Sequence, residues 1–321
     1  VVIISVLLNH FYLISFKPFN PKAKLDWFGT LLLAGGSVGL IYGMMKGSTN
    51  AKNFFNSQMI TFVIIGLALF VIYGIYNRIR KNNTVLPLRF FKSKNFTAAN
   101  IGIFLAGIAS NGPMLLLPLF FQNTKGFTAV EAGLMLIPQG LGMMVTRPLI
   151  GKMIDRMGAR PVVLVSLAIS LLGTIPFIFV HENTNLIWLG LVLFVRGMGI
   201  GGLQMPMMTD IFIGLDKQDI PGASVGQRII QNVGSSFGSA VISAVVTAVV
   251  TSEIAGQMTT KLHQLAAMHT NLTPTVIARA KTSVEKAVTL NGYQLGFLVS
   301  SIVLIVIAIP AMFLSQKKVN K

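Results

Sequence analysis

The sequence predicts an all-α integral membrane protein with about nine transmembrane helices, including a truncated first one. Three observations carry this. Mean hydropathy is +0.72 and only 11% of the 321 residues are charged, whereas soluble domains carry about 25%. Apolar stretches recur along the whole chain. At about 1.5 Å per residue each is long enough for a bilayer core of roughly 30 Å. Gly and Pro are frequent inside these stretches, which membrane helices tolerate better than soluble ones.

The first residues, VVIISVLLNHFYLI, are apolar, with no initiator Met and no basic leader. A signal peptide would carry a basic segment and a small-residue cleavage site. Residues 1–16 therefore read as the end of a helix already under way, and the chain as a fragment. Residues 17–26 follow as a cytoplasmic loop, and 27–46 and 57–77 as two further spans within the stretch 27–77. The segment 78–95, RIRKNNTVLPLRFFKSKN, reads as a basic cytoplasmic linker and the clearest domain boundary. Its Leu86, Leu88, Phe90 and Phe91 are expected on the membrane surface beside the lysines. Six more spans fall at 96–121, 128–150, 161–181, 186–208, 222–252 and 291–315, before a basic tail at 316–321. Between the last two, residues 253–290 form a polar outer loop with a partly helical stretch, IARAKTSVEKAV.

Charge orients the chain. The formal net charge is +17. With the first span ending in the cytoplasm, cytoplasmic loops hold 16 basic residues and the opposite side 7, four of them in the long 253–290 loop. Short loops decide topology, so the C-terminus is expected in the cytoplasm. The basic excess then serves topology and anionic lipid, and nucleic acid is not an expected partner. The expected location is a cytoplasmic membrane, with the lipid bilayer as a partner.

The absent chemistry excludes other classes. There are no cysteines, and His10, His181, His263 and His269 are scattered, so neither disulfides nor a metal site is expected. No phosphate loop and no nucleophile with its base is present. The chain reads as no enzyme, with no cofactor. Of nine acidic residues, only Glu131 falls within a predicted span, near its outer end.

The polar residues inside the spans are the candidate site. Arg196 lies near the centre of 186–208, where an arginine costs about 2.5–3.5 kcal/mol on insertion scales. It must face protein or water. It reads either as a cavity group that contacts substrate or alternates partners, or as a static pair with groups elsewhere. Arg228 is about 9 Å inside 222–252 at helical rise, within reach of the interface by snorkelling. Gln227, Arg228, Gln231 and Asn232 form one polar face, either cavity lining or interhelical hydrogen bonding. Gln139, Asn100, Asn111 and Gln204 are further amides within spans. Gly234 and Gly238 form a small-x-x-x-small pair suited to close helix packing. The methionines at 143, 144, 198, 205, 207 and 208 would suit either ordinary packing or an adaptable apolar cavity.

The stretch GKMIDRMGAR resembles the loop motif G-x-x-x-D-R-x-G-x-R of the major facilitator superfamily, at Gly151, Asp155, Arg156, Gly158 and Arg160. Around it, LDWFG, LPLRFFKSKNF, GFTAVEAGLMLIPQG and PGASVGQRIIQNVGSSFGSA follow in an order similar to the fourteen-helix drug:proton antiporters of EmrB/QacA type. That resemblance runs from the end of the sixth helix through the fourteenth. It implies the C-terminal half of such a transporter: two extra helices at 27–77 and the second six-helix bundle at 96–315. It further implies alternating access against an N-terminal half, export of small hydrophobic substrates, and protons as the coupling ion. The motif loop would act as a charge latch between helix ends. Family members commonly place an arginine where this chain has Gln231, with Arg228 one turn earlier. Intramembrane proton carriers are usually carboxylates or histidines, so the main carrier is expected in the N-terminal half. The cationic Arg196 and Arg228 keep open a dedicated exporter of one solute, such as an anionic metabolite, amino acid or lipid. A non-transporting membrane sensor or scaffold of the same fold is the third reading.

Overall fold

A computed structural model of the chain describes residues 26–48, 54–81, 84–267 and 273–316. The predicted helix end at 1–16, the loop 17–26 apart from Asp26, and the tail beyond residue 316 lie outside these residues. Every regular element among the described residues is helical, and eight helical stretches are long and apolar enough to cross a membrane. The chain is a multi-pass, all-α membrane protein.

The first two helices form a pair, α1 (Trp27–Ser48) and α2 (Ser57–Ile79). Polar residues at the starts define them. Asp26 Oδ1 accepts from the Gly29 amide at 2.9 Å, and Asn56 Oδ1 accepts from the Met59 amide at 2.7 Å, each satisfying one of the orphan donors of a helix start. The pair meets at glycines: a Cβ on Gly39 would lie 2.9 Å from the Cα of Gly66.

Two of the four apolar side chains after α2 depart from their predicted place on the membrane surface, while Leu88 is half-buried and Phe91 is exposed. Leu86 and Phe90 are only 5% and 4% exposed, within the same core as Leu33, Phe96 and Ala223. Buried backbone polar groups outside a helix need partners. Helix α2 provides them. The Tyr73 hydroxyl donates to Leu86 O and accepts from Leu86 N, both at 2.9 Å, while Asn77 donates to the same carbonyl at 3.1 Å. Asp26 adds a tie, accepting from the Tyr76 hydroxyl at 2.8 Å and from the Val85 amide at 3.3 Å. A 3-10 turn, Leu88–Lys92, then leads into the bundle. The helix pair and the bundle therefore share one core at this end, and the expected boundary is a packed joint.

The bundle follows as α3 (Lys94–Asn123), α4 (Ala129–Leu134), α5 (Ile137–Met157), α6 (Ala159–Thr174), α7 (Leu186–Gly201), α8 (Gln204–Ile211), α9 (Ile220–Ala267) and α10 (Pro274–Ala311). Two predicted spans are broken helices: α4 and α5 are separated at Met135–Leu136, and α7 and α8 at Gly202–Leu203. Thr128 and Glu131 form a capping box at the start of α4. Glu131 is thus an exposed cap at the end of its span. A second core, built on Phe120, Phe121, Phe177, Leu189 and Phe297, fills the opposite end of the bundle.

The predicted outer loop at 253–290 is largely helix. Helix α9 has 48 residues and α10 has 38, or about 72 and 57 Å at helical rise. Both exceed the roughly 30 Å hydrocarbon core, so their facing ends project beyond it. A polar sequence continues a helix in water because the backbone stays satisfied within the helix. The next start is set by Thr273, whose hydroxyl accepts from the Val276 amide at 3.4 Å, and by Pro274 in the first turn.

Candidate functional site

Arg196 is the largest side chain with full burial among the described residues. Glycines create its place. A Cβ on Gly173 of α6 would collide with the backbone of Arg196, and one on Gly197 would collide with the carbonyl of Gln139. Gly142 of α5 likewise lies against the backbone of Phe194, and Gly199 of α7 against Ser170. Helices α5, α6 and α7 thus pack backbone to backbone around one cation. Its Nη1 donates to Gln139 Oε1 at 2.8 Å. Among the described residues its Nε and Nη2 are buried with no hydrogen-bond partner, and so is the Ser170 hydroxyl. One neutral amide is a small return for taking a guanidinium out of water. The helix also breaks at Gly202–Leu203, within two turns of this charge.

A second polar group joins α8 to α9. Gln227 Nε2 donates to Gln231 Oε1 at 3.2 Å, and Gln231 Nε2 donates to Gln204 Oε1 at 3.0 Å. Gln227 is buried, while Gln204, Gln231 and Gln139 are half-buried. The other candidates lie apart from this chain. Asn111 of α3 donates to the Ser235 hydroxyl of α9 at 2.9 Å. Asn100 donates to Phe96 O at 2.8 Å, and its buried Oδ1 has no partner. Arg228 and Asn232 are exposed on the other side of the predicted polar face, so the structure divides that face in two. Gly234 and Gly238 bring α9 onto the backbone of α3, where added Cβ atoms would lie 2.5 Å from Phe104 O and 2.5 Å from Ile108 Cα.

The motif loop lies at the end of the bundle. Gly158 turns the chain between α5 and α6 with φ +82°, a left-handed conformation that favours glycine. The Arg160 amide donates to Ser315 O at 3.1 Å. Asp155 and Arg156 are exposed and form no ion pair among the described residues.

Asp210 is the residue that the sequence pattern missed. It lies in α8, fully buried, within the span Leu186–Ile211. Glu131 is therefore not the single acidic residue inside a span. The Asp210 carboxylate accepts from the Ser315 amide at 3.2 Å and from the Ser315 hydroxyl, and the Ser315 carbonyl in turn receives Arg160. Asp210 anchors the end of α10 beside the motif loop. The signal was the apolar Ile211, Phe212 and Ile213 that follow it, which extend the span past the polar Thr209-Asp210 pair. Among the described residues no group of three or more His, Asp or Glu is placed to hold a metal ion.

A glycine-packed helical bundle crossing the membrane, with one buried cation and a chain of amides between its helices, defines the class. The family follows from comparison. The model of the Major Facilitator Superfamily matches residues 27–239, and the chain belongs to that family. It is 24% identical to the "Uncharacterized MFS-type transporter YhcA" of Bacillus subtilis, over 59% of this chain and 35% of that protein. It is 28% identical to a "Multidrug resistance protein B homolog" of Mycobacterium tuberculosis, over 60% of this chain and 36% of that protein. With the "Probable transport protein HsrA" of Haemophilus influenzae it shares 29% identity, over 66% and 45%. The chain spans only about a third to under half the length of these relatives.

Proposed function

We propose that this chain forms the C-terminal portion of a secondary active transporter of the fourteen-helix branch. The whole protein exports hydrophobic drugs or toxic compounds across the cytoplasmic membrane by proton antiport and alternating access. The observation that carries the reading is Arg196, a fully buried guanidinium with two nitrogens unpartnered, held by a single amide where three helices pack on glycine. A charge so poorly satisfied in one arrangement is stabilised by another that gives it better partners, and two such arrangements are what alternating access needs. The amides at Gln204, Gln227 and Gln231 link α8 to α9 and in this reading line the transport cavity, and the loop from Gly151 to Arg160 serves as a latch. The relatives named for multidrug resistance favour export of varied compounds.

In this reading an N-terminal half covers the exposed faces of α5 and α9 and carries the main proton group, because the carboxylate buried in these spans, Asp210, is committed to Ser315. The C-terminus is cytoplasmic. The protein has no enzymatic role. The test uses the full-length parent in inside-out vesicles with an imposed proton gradient. Gradient-driven uptake of several unrelated lipophilic dyes, abolished by a protonophore and mutually competitive, is the expected result. Uptake of no dye overturns it. The second reading, export of one anionic solute, is favoured by the cationic character of Arg196 and Arg228 and would show as one tightly competing substrate.

A further inference from the structure

A cavity of about 310 Å³ lies apart from Arg196 and the amide chain, between the α1–α2 pair and helices α3 and α9. Its lining includes Leu33, Phe70, Phe91, Phe104, Ile229 and Val233 and is almost wholly apolar. The one hydroxyl beside it, on Tyr73, is already engaged with Leu86. A ligand with polar groups in its body would lose its water hydrogen bonds here without replacement, whereas a hydrocarbon chain loses none.

The depth of the cavity is that of one leaflet. Leu33 and Gly226 are six residues from the starts of α1 and α9, or about 9 Å at helical rise. Leu40 and Val233, which also line it, are thirteen residues in, or about 20 Å. The cavity therefore runs from near one membrane face to just past the middle of a core of roughly 30 Å. The same end carries the basic segment: Arg78, Arg80, Lys81, Lys92 and Lys94 are all exposed there. Two of the nearby acids are occupied, while Asp216, in the loop before α9, is exposed. Asp219 is paired with Arg89 at 2.7 Å, and Asp26 accepts from Tyr76, Gly29 and Val85.

We propose that this cavity binds an acyl chain of an anionic phospholipid from the leaflet on the side of the 78–95 segment, with the phosphate held by Lys92, Lys94 and the basic end of α2. The lipid then acts as a filler between the extra helix pair and the bundle, separate from the transport site.

The test reconstitutes the full chain in phosphatidylcholine vesicles with a trace of photoreactive lipid. The probe carries a diazirine on its acyl chain and either a phosphatidylglycerol or a phosphatidylcholine headgroup, and adducts are mapped by peptide mass spectrometry. The expected result is phosphatidylglycerol adducts on Phe70, Ile229 and Val233, in excess over phosphatidylcholine. Lys92→Gln and Lys94→Gln each reduce that excess by up to about fivefold. Ile229→Trp, which fills the cavity, removes these adducts and leaves those on the exposed Leu31 and Ile64. Equal labelling by both headgroups overturns the proposal, as do adducts confined to outward faces. Cavity adducts lost on addition of a lipophilic dye would assign the cavity to substrate, and crosslinks from residues 1–25 would assign it to the chain itself; either outcome also overturns it. Comparison of the two probes on the unmutated chain decides the matter even if a variant fails to fold.

Discussion

Arg196 holds its buried position at a cost that its few partners do not offset. Among the described residues the guanidinium is fully buried, bonds Gln139 alone and leaves two nitrogens without partners. Replacing buried charges by apolar groups of similar volume is often neutral or stabilising. Arg196→Met is accordingly expected to leave the thermal unfolding midpoint in detergent unchanged or raised; a midpoint lowered by several degrees would show that the guanidinium holds the fold together. Asp210 shows the opposite logic. Its carboxylate satisfies both the amide and the hydroxyl of Ser315. Asp210→Ala orphans both and should destabilise by about 1–3 kcal/mol, read as faster hydrogen exchange at the end of α10; Asp210→Asn should lose less, because it retains an acceptor oxygen. At this scale the sequence was partly legible. A lone arginine amid apolar residues reveals burial by its cost alone. Its partner Gln139, 57 positions away, does not follow from any local pattern. Asp210 escaped because a span was closed at the first polar pair, although apolar residues resume at Ile211.

Helix packing in this molecule is a matter of glycine against backbone. Helices α3 and α9 approach where Gly234 and Gly238 face Phe104 and Ile108. Gly238→Leu forces them apart and is expected to destabilise by about 1–3 kcal/mol or more. Gly256, on the projecting part of α9, has nothing within 4 Å of an added Cβ. There Gly256→Ala should stabilise by up to about 1 kcal/mol, the helix-propensity difference; thermal melts of both variants check the pair. Hydropathy placed the eight described spans within a few residues at most ends, because an apolar run is a local property. It could not place the breaks at Met135–Leu136 and Gly202–Leu203, which depend on neighbouring helices. It also misread two polar stretches. The α9 and α10 extensions are polar because they leave the bilayer, and they remain helical. The segment around Leu86 is flanked by charge yet buried, because Tyr73, Asn77 and Asp26 supply its backbone partners from outside the segment.

Across the whole molecule, exposure is uneven. Helices α3 and α7–α8 are the most enclosed, while α2, the α4–α5 span and α9 are the least. In the proposed transporter a second bundle packs on the α5 and α9 faces and completes the cavity. The chain alone, reconstituted in liposomes, is therefore expected to move no dye under a proton gradient; transport by it would overturn the need for a second half. The fold class and the family were readable from recurring apolar runs and from the Gly151–Arg160 motif. Substrate and coupling were not, since in the proposed transporter they depend on groups that meet only when two halves pack together. The most direct measurement is proton-gradient-driven uptake of several lipophilic dyes into inside-out vesicles of the full-length parent, for the unmutated protein and Arg196→Ala at matched protein level. The expected result is uptake of several dyes that the substitution abolishes while the midpoint of unfolding is kept. Uptake unchanged by Arg196→Ala would contradict it and leave Arg196 a static group in the core.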